Sequence, residues 1–227
     1  GSMENYAAAK RRLFDLAGVR NAVVNTDDLY GRAWAGSMPA QVQTITYGFD
    51  ASGPRPALYG HGLTLDTSGL SFKISSPWGE GRLAVGLLGR FNASNLLAAL
   101  GALLASGMSF DEALAGLAGV STVPGRMERF GGDAGRPLVV VDYAHTPDAL
   151  RQVLGALAEH CRGALWCVFG CGGERDREKR PAMGRVAEEL ALAEVTVGEK
   201  LKSRIKGIQQ GLDHGSAVAR AVNHARE

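Results

Sequence analysis

The chain has little of what would mark a specialised protein. Three cysteines in 227 residues are too few for a disulfide framework, and Cys161, Cys167 and Cys171 lack the tight pairing of a zinc site, so they read as reduced core thiols. Charge of neither sign dominates. The 25 Lys and Arg against 23 Asp and Glu leave +2, too weak a field to draw nucleic acid or an anionic membrane. Long hydrophobic runs are also missing: stretches such as 96–104 are too short to span a bilayer. The N-terminus lacks a charged-then-apolar secretory pattern, which makes the cytoplasm the expected compartment. No G-x-G-x-x-G opens a helix, which argues against a nucleotide-dependent oxidoreductase.

What is present is an ordinary globular composition, 45% hydrophobic and 21% charged, sized for one large domain or two small ones. Residues 5–16, rich in Ala, Lys, Arg and Leu without Gly or Pro, predict a helix, and 21–25 a short buried strand. From 41 to 88, short segments (43–47, 62–66, 70–74, 82–87) punctuated by Gly, Pro, Ser and Asp predict a run of antiparallel strands. Residues 92–106 and 109–117 predict two helices, the second opened by Ser109 and Glu112 as a capping box. Gly and Pro recur between 119 and 137, and a boundary is placed near Ser121. Beyond it, strands at 138–142, 164–169 and 194–197 alternate with helices at 147–160, 180–190, 201–212 and 216–225, a parallel α/β layout.

In such a sheet ligands gather at the carboxyl ends of the strands, which places Asp142-Tyr143-Ala144-His145 and residues 170–175 on one rim. Thr146, Pro147 and Asp148 read as helix-start chemistry, whereas Asp142 and His145 have no capping duty and read as functional. Gly170, Gly172 and Gly173 allow close backbone approach, and Arg175 beside them is either a solvated helix-start charge or a fork for a carboxylate or phosphate. Arg126, at the proposed boundary, suits phosphate oxygens. Asn92 reads as an N-cap or a ligand contact; Asn95, one turn in, is a poor helix former whose amide can read a purine edge. Lys10 reads locally as a solvated lysine.

These segments together resemble the Mur ligases of the MurE type, the UDP-N-acetylmuramoyl-tripeptide synthetases. The resemblance runs in order through Gly89-Arg90-Phe91-Asn92-Ala93-Ser94-Asn95, Gly125-Arg126-Met127-Glu128, Asp142-Tyr143-Ala144-His145-Thr146-Pro147-Asp148 and Phe169-Gly170-Cys171-Gly172-Gly173-Glu174-Arg175-Asp176. It implies a cytoplasmic enzyme of peptidoglycan and cell-wall synthesis, hence of cell shape and division. ATP would phosphorylate the terminal carboxylate of UDP-MurNAc-L-Ala-D-Glu, and a diamino acid, meso-diaminopimelate, would attack the acyl-phosphate. Its cofactors would be ATP and Mg2+. Lys10, in a Tyr-x-x-x-Lys helix with Tyr6, resembles the lysine that is carbamylated to become a magnesium ligand; burial, by favouring the neutral amine, would help that chemistry. Asn92 and Asn95 would contact nucleotide in the central domain. Arg126, Asp142 and His145 would be brought over it by the C-terminal domain, and Arg175 would meet the diamino acid's carboxylate.

The chain also departs from the family. It has no G-T-x-G-K-T phosphate loop, and Gly198-Glu199-Lys200 stands where the loop that selects meso-diaminopimelate would follow Val197. The expectation is therefore the later part of a central ATPase domain (1–121) followed by a Rossmann-like C-terminal domain (122–227), interrupted after 197 and truncated. Alone, this chain is expected neither to hydrolyse ATP nor to ligate. The competing reading is a non-catalytic nucleotide- or partner-binding remnant that pairs incomplete sheet edges with another chain.

Overall fold

The computed structural model describes residues 2–132, 136–170 and 179–191, and as backbone 193–196 and 217–222. Two compact units emerge. The first comprises Gly1–Thr64, Ser71–Val85 and Phe91–Val120; the second comprises Leu65–Leu70, Gly86–Arg90 and Ser121–Glu227.

The first unit opens with α1 (Met3–Arg11), started by Ser2, whose hydroxyl accepts the Asn5 N–H, and prolonged by a 3-10 turn, Arg12–Asp15. After β1 (Asn21–Asn25) comes α2 (Leu29–Ala35), which sequence reasoning missed because Tyr, Trp and Gly dilute its helical pattern. Asp28 caps it, and Gly31 is required there because a Cβ would lie 1.8 Å from the Asn25 carbonyl oxygen. Then follow β2 (Gln43–Gly48), β3 (Leu58–Asp66), β4 (Gly69–Ser76) and β5 (Gly79–Val85), in a sheet ordered β1-β2-β3-β4-β5.

The expected antiparallel run needs one correction: β2 pairs in parallel with β1 and, through Tyr47 and Gly48, with β3. The tight turns that signal hairpins join β3 to β4 and β4 to β5, whereas nine residues separate Gly48 from Leu58, and the parallel pairing joins only the end of β2 to the start of β3, so the chain has little distance to recover. On β4 the inward alternation Phe72, Ile74 supplies the core, with Phe49 edge-on to Phe72 at 5.3 Å. Helix α3 (Arg90–Ala105) buries Leu96, Leu97 and Leu100; α4 (Phe110–Ala118) carries the predicted capping box and packs on β5.

The second unit contains β6 (Glu128–Gly131), β7 (Leu138–Asp142), α5 (Pro147–His160), β8 (Ala164–Phe169), α6 (Lys179–Leu190), β9 (Ala193–Thr196) and β10 (Ala217–Val222). The helix predicted over 216–225 is instead strand β10, inserted between β7 and β8 and antiparallel to both. Its Ala and Arg are good helix formers, but backbone pairing along two open strand edges outweighs a propensity worth tenths of a kcal/mol per residue. The parallel sheet expected here is thus mixed: β8 and β9 are parallel, β6 is antiparallel to β7, and β10 interrupts the order. Leu138, Val140, Leu150, Leu154, Leu157, Cys167, Phe169 and Met183 fill the core between sheet and helices. Leu88, from the Gly86–Arg90 segment, is fully buried in the same cluster. The helix predicted over 201–212 lies outside the described residues.

Candidate nucleotide site

In the second unit the chemistry-bearing residues stand where β7 ends. Asp142 is its last residue and only 8% exposed. One carboxylate oxygen accepts the Ala144 N–H at 2.8 Å; the other accepts the Met127 N–H at 3.0 Å. The acid therefore joins the loop after β7 to the loop before β6. Burial is tolerable because both bonds are charge-assisted. Met127 has φ +51°, costly for a side chain with a Cβ, and its buried side chain together with the Asp142 bond holds it there. Gly125 (φ +70°) turns the chain just before, its N–H donating to Glu128 at 2.8 Å.

That clamp sets up a ladder of exposed groups. The Arg126 guanidinium carbon lies 5.1 Å from the centre of the Tyr143 ring, and the Tyr143 and His145 rings are 5.0 Å apart. His145 Nδ1 donates to the Tyr143 carbonyl at 3.1 Å, leaving Nε2 of this exposed residue as an acceptor. Thr146 then caps α5 with Pro147 at its first position. Sequence reasoning singled out Arg126, Asp142 and His145, and the structure brings all three together. It missed the two roles between them, the Met127 amide and the Tyr143 ring. The Tyr-x-His spacing was the available signal for the ring; nothing local foretold a positive φ at Met127. Arg175 lies outside the described residues.

In the first unit, α3 already runs at Arg90, so Asn92 sits in its first turn rather than before it. The exposed Asn95 amide donates to the Asn92 side-chain oxygen at 3.2 Å, a paired-amide edge suited to a purine. Beside it, Ser94 accepts from Asn25 at 3.5 Å and bonds Tyr47. Burial pushes the Tyr47 phenol above its ordinary value, the Ser94 bond opposes this, and the charge of Asp27 adds to the rise.

Lys10 is exposed on α1, its amine 4.9 Å over the ring of Tyr6, one turn earlier. With Phe14, Asn25, Asp28 and Trp34 it lines a cleft of about 310 Å³. The burial that would favour a neutral amine is absent. The Asp28 carboxylate already caps α2, and no group of three metal-ligating side chains occurs among the described residues. These residues do not by themselves fit a magnesium site.

Residues 1–103 match the family model of the Mur ligase middle domain, and residues 125–227 that of the Mur ligase glutamate ligase domain. The UDP-N-acetylmuramoyl-L-alanyl-D-glutamate--2,6-diaminopimelate ligase of Chromobacterium violaceum is 42% identical over a 233-residue alignment covering 99% of this chain and 46% of that protein. Its counterpart in Pseudomonas syringae pv. tomato is 50% identical over 192 residues, 84% of this chain and 38% of that one. A solved ligase of the same name superposes with a TM-score of 0.69 at 36% identity, covering 92% of this chain and 44% of that structure. The chain spans less than half the length of each of these relatives. Among the described residues, no helix is long and apolar enough to cross a membrane. The chain belongs to the Mur ligase family, matching its middle domain and its glutamate ligase domain in sequence order.

Proposed function

We propose that this chain is part of a cytoplasmic MurE-type ligase that uses ATP to join meso-diaminopimelate to UDP-MurNAc-L-Ala-D-Glu. The γ-phosphoryl group passes to the terminal carboxylate, and the amine then attacks the acyl carbon and expels phosphate. The single observation that carries this reading is the identity of 42% and 50% to two proteins named for that ligation. Asn92 and Asn95 are proposed to read the adenine edge. Arg126 and His145 are proposed to meet phosphate oxygens, with Tyr143 as the surface on which Arg126 rests. Asp142 then acts by holding both loops rather than by touching nucleotide. Arg175 is proposed to receive the diamino acid's carboxylate. Magnesium would neutralise charge on the nucleotide phosphates when bound; a carbamate on Lys10 remains part of the reading as one candidate ligand for it.

The test is made on the complete gene product that carries this chain, given ATP, magnesium, UDP-MurNAc-L-Ala-D-Glu and either meso-diaminopimelate or lysine. Formation of the diaminopimelate tripeptide, identified by mass and matched by phosphate release, supports the reading. Product with lysine alone overturns the amine assignment. No product with either amine overturns ligation and leaves the alternative, a nucleotide- or partner-binding remnant whose sheet edges β1, β5, β6 and β9 pair with another chain.

A further inference from the structure

His160 ends α5 on the far side of that helix from the rim and is 3% exposed, yet the proposed chemistry does not use it. Its Nε2 accepts the Gly89 N–H at 2.8 Å, and its Nδ1 faces the Asp66 carbonyl oxygen at 2.7 Å. An amide can donate only to a ring nitrogen without a proton, and a carbonyl can only accept. The imidazole must therefore be neutral, with its proton on Nδ1. Arg129, on β6, grips the same two segments: its guanidinium donates to the carbonyls of Ser68 (2.7 Å), Thr67 and Gly86 (2.9 Å). Burial lowers the Arg129 pKa and nearby Asp66 opposes that, but a guanidinium stays charged at any physiological pH. All four pieces lie in the second unit, where Leu88 is also sunk in the core.

We propose that His160 and Arg129 are positioning residues, a two-point lock tying the hairpin tip Leu65–Leu70 and the segment Gly86–Arg90 to the sheet and helix that carry Arg126, Asp142 and His145, and that the His160 half opens on protonation. Helix α5 spans about 21 Å at 1.5 Å per residue, and its two ends hold His145–Thr146 and His160. The helix thereby links the rim to the segments that His160 holds within the second unit. A proton arriving on Nε2 would face the Gly89 N–H, and that bond would be lost. Gly89, at φ +90°, donates its amide to this ring. The charged groups on the surrounding elements are Asp66 on β3, Arg90 at the start of α3, Arg129 on β6, Glu159 on α5 (3.6 Å from Arg90) and Arg162 just after it. The proposal rests on the ligase reading only for the importance of the rim.

The experiment follows imidazole ¹⁵N signals and the Gly89 amide protection factor in the intact protein at pH 7.5 and pH 5. At pH 7.5 His160 is expected to carry its proton on Nδ1 and Gly89 to be protected; at pH 5 protection is expected to fall roughly tenfold or more in step with an imidazolium signal. His160→Gln, which can still accept from Gly89 and does not titrate, is expected to keep protection at both values. A proton on Nε2 at pH 7.5 overturns the lock. An imidazole still neutral at pH 5, unchanged Gly89 protection once the imidazolium has formed, or a glutamine variant that falls like the wild type each overturns its opening by acid. These readouts are independent of ligation, so neither result decides the other.

Discussion

The molecule carries the same trio of side chains twice, and the two copies are supported differently. In the first unit, Arg55 lies 4.5 Å over the ring of Tyr59, which stacks on His61 at 5.3 Å and 18°. In the second, Arg126, Tyr143 and His145 repeat the set with a more open ring angle of 59°. Tyr59 and His61 are alternate residues of a regular strand, so sheet pairing places them on one face without further help, and Ser75 on the neighbouring strand meets His61 at 3.1 Å. Tyr143 and His145 stand beyond a strand end, where no ladder of backbone bonds exists, and a buried carboxylate supplies the order. Chemical content alone does not identify a site. The copy whose geometry depends on a buried charge and a positive φ is the one at the rim, where ligands collect.

The largest effect should come from removing that support. Asp142→Ala is expected to lower unfolding free energy by about 3 kcal/mol, because two buried charge-assisted bonds are lost and the Met127 amide is left without a partner. His61→Ala, its strand-borne counterpart, is expected to cost no more than about 0.5 kcal/mol. Urea midpoints of the two variants check this, and similar shifts would break the contrast.

Next comes the contrast in nucleotide affinity. In the complete gene product, Arg126→Ala is expected to weaken ATP binding about tenfold by calorimetric titration, with Arg55→Ala unchanged. Equal losses would make the ladders equivalent. A smaller effect should appear in stability alone: Arg55→Ala and Arg126→Ala should each cost about 0.5 kcal/mol or less, since an exposed cation over a ring contributes little.

The smallest effect lies outside both ladders. The hydroxyl of Ser68 first, then the Ser68 amide, holds the Asp66 carboxyl below the usual carboxylate range, against a slight opposing burial. A folded-state pKa below the unfolded one means a contribution present above about pH 4 and lost as pH falls through the folded value. Asp66→Asn should flatten that acid limb slightly in stability curves measured from pH 5 downward, and an unchanged limb would contradict the assignment.

Where local chemistry decides the structure, the sequence was legible. The Ser109–Glu112 capping box and the Thr146–Pro147 start of α5 follow from side chains bonding their own neighbours, and both helices form as predicted. Where long-range pairing decides, it was not: β10 reads as a helix until two strand edges compete for it, and the Gly- and Pro-rich connection 49–57 marks a turn without saying whether β3 returns antiparallel or parallel to β2. The rim was legible as a set of residues, since Asp142 and His145 follow a clear strand. Its internal order was not, because Asp142 reaches across fifteen positions to Met127. Lys10 illustrates the opposite case, a residue raised by resemblance that the described structure leaves exposed.

A structure of the complete gene product with a non-hydrolysable ATP analogue would test the central claim most directly. The account predicts phosphate oxygens within hydrogen-bonding distance of Arg126 or His145, with Asp142 still bonded to the amides of Met127 and Ala144. An analogue whose phosphates lie on Arg55 and His61, or an Asp142 turned from those amides to the nucleotide, would contradict it.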